Sequence, residues 1–173
     1  MRYDGRMAAT ERLILRNTRM SEVPALFQFL GDREAMQHTH CCASLRECAR
    51  HVAGHEWQRR RIGHAPWTIA RKTDGAIIGW GGLYDDPFDR GWGLEVGYWF
   101  ARSAWGQGFA SELVSASLVF ARERGVPLVS AFARPDNGAS CRVLEKSGFR
   151  LERYVESMAR NLYRCELLLI SPC

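Results

Sequence analysis

Leu94-Glu95-Val96-Gly97-Tyr98-Trp99-Phe100 leads, four residues later, into Trp105-Gly106-Gln107-Gly108-Phe109-Ala110-Ser111-Glu112. The first run is apolar enough for a buried strand. From Gly106 to Arg124 the residues Phe109, Leu113, Ala116 and Phe120 recur on one face, which predicts a helix, and Gly125 with Pro127 closes it in the usual C-terminal order. A strand passing through a turn with two glycines straight into a helix has a chemical consequence. The first turn of a helix carries unpaired N–H groups and a partial positive charge, and glycine lets a bulky anion approach that backbone. The stretch is a candidate phosphate cradle, although Gly106 and Gly108 would equally serve a tight turn with no ligand.

Toward the N-terminus, Arg12-Leu13-Ile14-Leu15-Arg16 alternates as a strand does, and Ser21 stands at an N-cap position ahead of Val23, Leu26, Phe27 and Leu30. Ser44 to Arg61 predicts a second helix, with Ser44 and Glu47 at capping-box spacing and Gly63 as its stop. Pro66 to Arg71 and Ala76 to Leu83, on either side of Asp74-Gly75, predict a β-hairpin, and Asp85 to Gly91 a polar loop. Toward the C-terminus, Leu128 to Ala133 predicts a buried strand and Asn137 to Ser147 a short helix. Gly148-Phe149 is a turn, and strands near 149–156 and 162–170 follow. The order β-α-α-β-β-β-α-β-α-β-β predicts an α/β (α+β) fold, with a mixed, strongly twisted sheet of about six to seven strands and helices on both faces. Residues 1–10 are expected to be a loose segment and 11–173 a single domain.

The 173 residues suffice for one well-buried core and are short for two. No stretch approaches the roughly 18 to 20 apolar residues of a membrane span, and Met-Arg-Tyr-Asp-Gly-Arg is no signal peptide, so no membrane partner and a cytoplasmic location are expected. Six cysteines without a regular spacing fit reduced thiols. The net charge of +5 is local: residues 1–64 hold 11 basic against 7 acidic side chains, and the remainder 13 against 12. Only Lys72 and Lys146 are lysines, and Arg59-Arg60-Arg61 is the one dense basic run. No basic stripe interleaved with aromatics is visible, and no nucleic-acid partner is expected.

Two phosphate-binding readings fail on residue identity. A Walker-type loop needs Gly-Lys-Ser/Thr, and no lysine lies between Lys72 and Lys146. A dinucleotide fingerprint wants a third glycine where Ser111 stands and an acid after the next strand, where Arg134-Pro135 stand. The whole pattern instead resembles the GNAT superfamily of N-acetyltransferases, in particular the branch of ribosomal-protein N-terminal (alanine) acetyltransferases. Thr10 to Arg16 looks like the opening strand of that branch, Glu95 to Phe100 like its central strand, and Trp105 to Ala110 with Glu112 like its cofactor loop. Asn137-Gly138-Ala139-Ser140 through Glu145-Lys146-Ser147-Gly148-Phe149 looks like its later motif. Trp105 departs from the Gln or Arg of the general loop pattern, a departure common in this branch.

The resemblance implies acetyl-CoA as cosubstrate, no metal, and direct transfer of the acetyl group to a primary amine, either a peptide or protein N-terminus or a small molecule. It implies that the cofactor lies between the strands ending near Phe100 and Ala133, with backbone at Phe100, Ala101 and Arg102 pairing to the pantetheine arm. Trp105, Gly106, Gln107, Gly108, Phe109 and Ala110 would hold the pyrophosphate. Asn137 would hydrogen-bond the cofactor, with a helix N-cap as its other reading, and Ser140 would stand near the sulfur as the proton donor. Tyr98 reads as core or cleft wall and Cys141 as helix packing. The chemistry needs one base, for which Glu95 at the start of the central strand is the candidate, directly or through water; its competing reading is a solvated strand-end carboxylate. The resemblance is compatible with a homodimer.

His38, His40, Cys41, Cys42, Cys48, His51 and His55 form the other chemical cluster, in which Cys48, His51 and His55, on one helix face, could make a tetrahedral zinc site with a cysteine of the preceding loop. It has no paired Cys-x-x-Cys and falls where the acceptor pocket is expected. Two other classes of function remain open to the sequence: a non-catalytic acetyl-CoA sensor, and a nucleic-acid binder whose affinity would fall steeply with salt.

Overall fold

Eight strands form one sheet in the order β1-β2-β3-β4-β5-β6-β8-β7 in the computed structural model, which describes residues 7–167. The strands are β1 (Met7–Ala9), β2 (Leu13–Asn17), β3 (Trp67–Arg71), β4 (Ile77–Tyr84), β5 (Glu95–Phe100), β6 (Leu128–Ala133), β7 (Arg150–Val155) and β8 (Arg160–Glu166). The helices are α1 (Val23–Leu30), α2 (Leu45–Ile62), α3 (Phe109–Glu123) and α4 (Gly138–Lys146). Every adjacent pair is antiparallel except β5 with β6, so the sheet is mixed.

The strand beyond those expected is β1. Met7–Ala9 pairs with Arg16, Leu15 and Ile14, and Ala8 is buried, so this part of the segment expected to be loose is built into the sheet edge. Residues 168–170, expected at the end of the last strand, lie outside the described residues. Ser21 does not cap α1. Glu22 is the N-cap, Pro24 stands in the first turn, and the Glu22 carboxylate is committed to the Arg19 N–H at 3.0 Å and the Thr68 hydroxyl at 2.9 Å. Ser44 does cap α2, accepting from the Glu47 N–H at 3.2 Å, while the Glu47 carboxylate accepts from Ala43 at 2.7 Å. No helix among the described residues is long and apolar enough to cross a membrane.

Strand alternation divides the core in two. Val96, Tyr98 and Phe100 of β5 face α3 and α4 in one cluster with Leu113, Val129, Ala131 and Leu144. Trp99 and, on β4, Trp80 face α1 and α2 in the other, with Leu26, Phe29 and Val52. The helices thus cover both faces, and β5 has a side chain in each compartment at successive positions.

β5 and β6 share one register pair, Glu95 with Ser130, fixed by the Ser130 N–H donating to the Leu94 carbonyl at 2.8 Å. The Ser130 hydroxyl also donates to the Trp92 carbonyl at 3.0 Å and accepts from Arg164 at 2.5 Å, which pins the strands at this end. Beyond that point they part, and the sheet opens into a wedge flanked by the N-termini of α3 and α4.

Candidate active site

The wedge holds a cavity of about 520 Å³. Of the residues singled out in the sequence, Phe100, Trp105, Gly106, Gly108, Phe109, Ala110, Asn137 and Ser140 line it. Ala101, Arg102 and Gln107 do not, and Glu95 lies directly behind the lining residues Tyr84 and Gly97.

Gly106 and Gly108 have φ of 71° and 77°, the left-handed region that glycine occupies without strain, and a Cβ built on Gly106 would meet nothing within 4 Å. The loop therefore presents its backbone to open space just ahead of α3, a helix of 15 residues whose first N–H groups have no intrahelical partner. It is clamped by the residue just before β2. Arg12 donates to the Gln107 carbonyl at 2.8 Å and to the Glu112 carboxylate at 2.7 Å, and its guanidinium lies 4.8 Å from the Phe109 ring centre. Arg134, Arg142 and Lys146 also line the cavity, so cations stand near a backbone suited to phosphate. This donor set fits a ligand with phosphates at one end and a long uncharged arm, as acetyl-CoA has.

The free backbone of β5 differs from the sequence expectation. The Ala101 N–H donates to the Ile78 carbonyl at 2.9 Å, and the Phe100 carbonyl accepts from the Trp105 indole at 3.1 Å. Because alternate residues turn their backbone toward β4, the Tyr98 backbone and the Phe100 N–H face the wedge, while Val96 lies at its closed end, where Glu95 pairs with Ser130. The Arg102 side chain turns away to pair with Asp32 at 3.0 Å and with Glu34, and Gln107 donates to the Ser103 carbonyl at 2.7 Å.

On the α4 side, the Tyr98 and Ser140 hydroxyls are 2.8 Å apart, and the Asn137 carboxamide oxygen accepts from the Ser140 N–H at 3.1 Å. Asn137 therefore caps α4 through its oxygen and has its NH2 group left for a ligand. Burial pushes the Tyr98 phenol up to about 12, so it stays protonated near neutrality. Cys141 points its thiol at the Arg134 carbonyl, 3.6 Å away.

On the α1–α2 side, Glu95 is only 5% exposed and is no solvated carboxylate. Burial, followed by the charges of Asp86, Asp89 and Asp85, pushes it up to about 8, against a stabilising hydrogen bond from Tyr84. His51 and His55 pack among Trp80, Tyr84 and Phe88, and burial holds them at about 4 and about 3, neutral at physiological pH. Cys42 and Cys48 are buried and hydrogen-bonded to each other. Among the described residues no group of three or more His, Cys, Asp or Glu side chains is disposed to hold a metal ion. Arg59 of the basic run is structural, bonded to Glu56 and to the carbonyls of Ala65 and Pro66.

Tyr84, Arg142, Lys146 and Arg160 line the cavity without having been singled out in the sequence. Arg142 and Lys146 carried a usable signal, since they stand four apart on the helix that Asn137 begins. Tyr84 and Arg160 carried none, being joined only by tertiary structure.

The sequence matches, over residues 12–150, the family model described as Acetyltransferase (GNAT) domain. It is 28% identical over 148 residues to the uncharacterized protein YkkB of Bacillus subtilis, covering 84% of this chain and 86% of that one. An acetyltransferase from Agrobacterium tumefaciens superposes with a TM-score of 0.81 at 22% identity, covering 96% and 98% of the two chains. The ribosomal L7/L12 alpha-N-protein acetyltransferase RimL in complex with coenzyme A superposes with a TM-score of 0.75 at 25% identity, covering 92% and 97%.

Proposed function

The chain belongs to the GNAT acetyltransferase family, and from that premise we propose that it moves an acetyl group from acetyl-CoA directly to a primary amine. The observation that carries this reading is the wedge between β5 and β6, which ends at a glycine loop on one side and at Tyr84, the register partner of the buried Glu95, on the other. The coenzyme A complex of RimL supports the cosubstrate. That relative acts on a protein N-terminus, which makes a peptide amine one acceptor class and a small-molecule amine the other.

Acetyl-CoA supplies a thioester whose carbonyl carbon accepts the amine. The amides of residues 106–110, with Arg142 and Lys146, hold the phosphates, and Asn137 and the Tyr98 backbone hold the arm. Glu95, through Tyr84 or a water, takes one proton from the acceptor ammonium. The nitrogen then forms its bond to the carbonyl carbon while backbone N–H groups at the free β5 edge face the charge that develops on oxygen. The C–S bond breaks, the departing thiolate receives a proton from the Ser140–Tyr98 pair, and the nitrogen gives up its second proton. Ammonium and thioester become amide and thiol, with one proton released to water.

Titration calorimetry with acetyl-CoA tests the reading beside a Gly108→Glu variant, which places a negative side chain in the loop. Binding by the parent that the variant loses, with circular dichroism unchanged, supports it; no binding by the parent sinks it. Glu95→Gln then separates an enzyme from a cofactor sensor, since the enzyme keeps affinity and loses turnover.

A further inference from the structure

Arg160 is a cation in the cavity that the phosphates do not account for. It opens β8, pairs with Val155 of β7, and is half-buried in the lining of the wedge. Sheet alternation fixes its side. Arg160, Leu162 and Arg164 share one face of β8; Leu162 stands beside Phe132 of β6, Arg164 beside Ser130, and Ser130 beside Glu95. Arg160 therefore belongs to the face of Glu95, Gly97 and Trp99, whereas Arg142 and Lys146 belong to α4 on the opposite face.

Its neighbours with charge are otherwise engaged. Arg164 pairs with Glu152 at 3.1 Å and Arg134 with Asp136 at 3.0 Å, but among the described residues no carboxylate lies within ion-pair distance of Arg160. Burial, followed by the charges of Glu95 and Asp86, pushes the Tyr84 hydroxyl well up, and the Arg160 charge opposes that push. Arg160 and Tyr84 thus line one cavity, with the buried Glu95 behind Tyr84 as its register partner on β5. The residue before it, Ala159, has φ of 50° and is the only non-glycine in the left-handed region among the described residues. A side chain there tolerates that conformation poorly, and it sets the direction in which β8 begins.

A fixed cation in the wall, beside a phenol whose register partner is the proposed base, fits a ligand that carries a carboxylate next to its amine. We propose that the acceptor is a free amino acid, with Arg160 holding its carboxylate and its amino group lying at Tyr84, within reach of Glu95. Guanidinium matches carboxylate with two parallel hydrogen bonds, which an amide or a peptide bond cannot provide. Trp99 and Phe132 line the same cavity and leave an apolar wall for the side chain. The proposal rests on acetyl transfer as the reaction and names the acceptor for it. It makes Arg160 the residue that separates free amino acids from peptide N-termini, because the latter have no carboxylate next to the amine.

The test measures CoA thiol release with L-phenylalanine, L-leucine and L-methionine and with their amides, rates being compared per free amine. Wild type, Arg160→Gln and Arg160→Lys are assayed, with acetyl-CoA affinity by calorimetry and the fold by circular dichroism. Wild type is expected to favour the acids over the amides by at least about tenfold in kcat/KM. Arg160→Gln erases that preference by lowering kcat/KM on the acids at least about tenfold more than on the amides, with acetyl-CoA affinity within about twofold, and Arg160→Lys falls between. Equal use of acids and amides, or an equal loss on both in Arg160→Gln, overturns the proposal. Acetyl-CoA binding with none of the three acids turned over also overturns it, and it alone. No acetyl-CoA binding at all marks the failure of the acetyltransferase reading beneath it.

Discussion

Tyr84 and Glu95 are direct partners across the β4–β5 ladder, which sets a buried phenol and a buried carboxyl side by side on the sheet face that looks toward α1 and α2. Burial and the acids of the following loop hold the Glu95 carboxyl protonated up to about pH 8, so the proposed base is only partly ready at neutrality. The expected kcat/KM rises through about pH 8, and Glu95→Gln lowers it by about 10²- to 10⁴-fold and removes that limb while acetyl-CoA affinity is kept. The same shift acts on folding. Between its ordinary value of 4.5 and about 8 the folded state keeps a proton the unfolded chain has released, so the contribution of Glu95 to stability is full at acid pH and is lost as pH rises through about 8. Urea titrations from pH 5 to 9 should show a shallower decline in Glu95→Gln than in wild type.

Asp86 is the largest charge acting on Glu95 after burial itself, and it is itself raised by burial. Replacing it with asparagine keeps the shape and removes the negative charge. The activity limb of Asp86→Asn is expected to move to lower pH, with more activity than wild type at pH 7 and equal activity above pH 9. A limb that stays in place in the pH–rate profile would show that the Asp86 charge does not set the titration of Glu95.

Arg12 reaches both the Gln107 carbonyl and Glu112, and so couples the first long strand to the loop proposed to hold pyrophosphate. It touches the loop from behind and does not line the cavity. Arg12→Ala should therefore raise the KM for acetyl-CoA with little change in kcat, the pattern of lost uniform binding. At the half-exposed Arg12 the loss of such a contact corresponds to roughly 1 kcal/mol, or about fivefold. Steady-state kinetics with acetyl-CoA varied at saturating amine will show whether kcat is spared.

Helical and strand periodicity made most of this architecture legible, because Phe109 to Phe120 and Leu94 to Phe100 each bury a face that composition alone marks. β1 escaped because three residues, Met7-Ala8-Ala9, carry no period. The glycine loop was legible as a strand, turn and helix, yet the backbone of β5 that faces the wedge is that of Tyr98 and not of Ala101. That placement depends on which residues turn toward β4, a matter of register that a single strand does not encode. The acids at 85, 86 and 89 read as a solvated loop, whereas their charges add to the upward push that burial gives Glu95. Arg160 and Tyr84 are brought to one cavity through the β4-β5-β6-β8 order, so no local pattern announces them.

Tyr98 and Ser140 come from different elements, β5 and α4, and share one hydrogen bond of 2.8 Å. Since Tyr98 keeps its proton to about pH 12, the pair has a donor at every pH at which the protein is folded and active. It is the proposed source of the proton for the departing thiolate, and two hydroxyls in one bond serve as one donor. Ser140→Ala and Tyr98→Phe are each expected to lower kcat by about tenfold or more, and the double variant by no more than the worse single one, the non-additivity of residues acting as a unit. The wild-type profile should also show no falling limb up to about pH 10, because a donor that titrates near 12 is still protonated there. Losses that multiply in the double variant would assign the two hydroxyls separate tasks, with Ser140 at the sulfur and Tyr98 holding the arm.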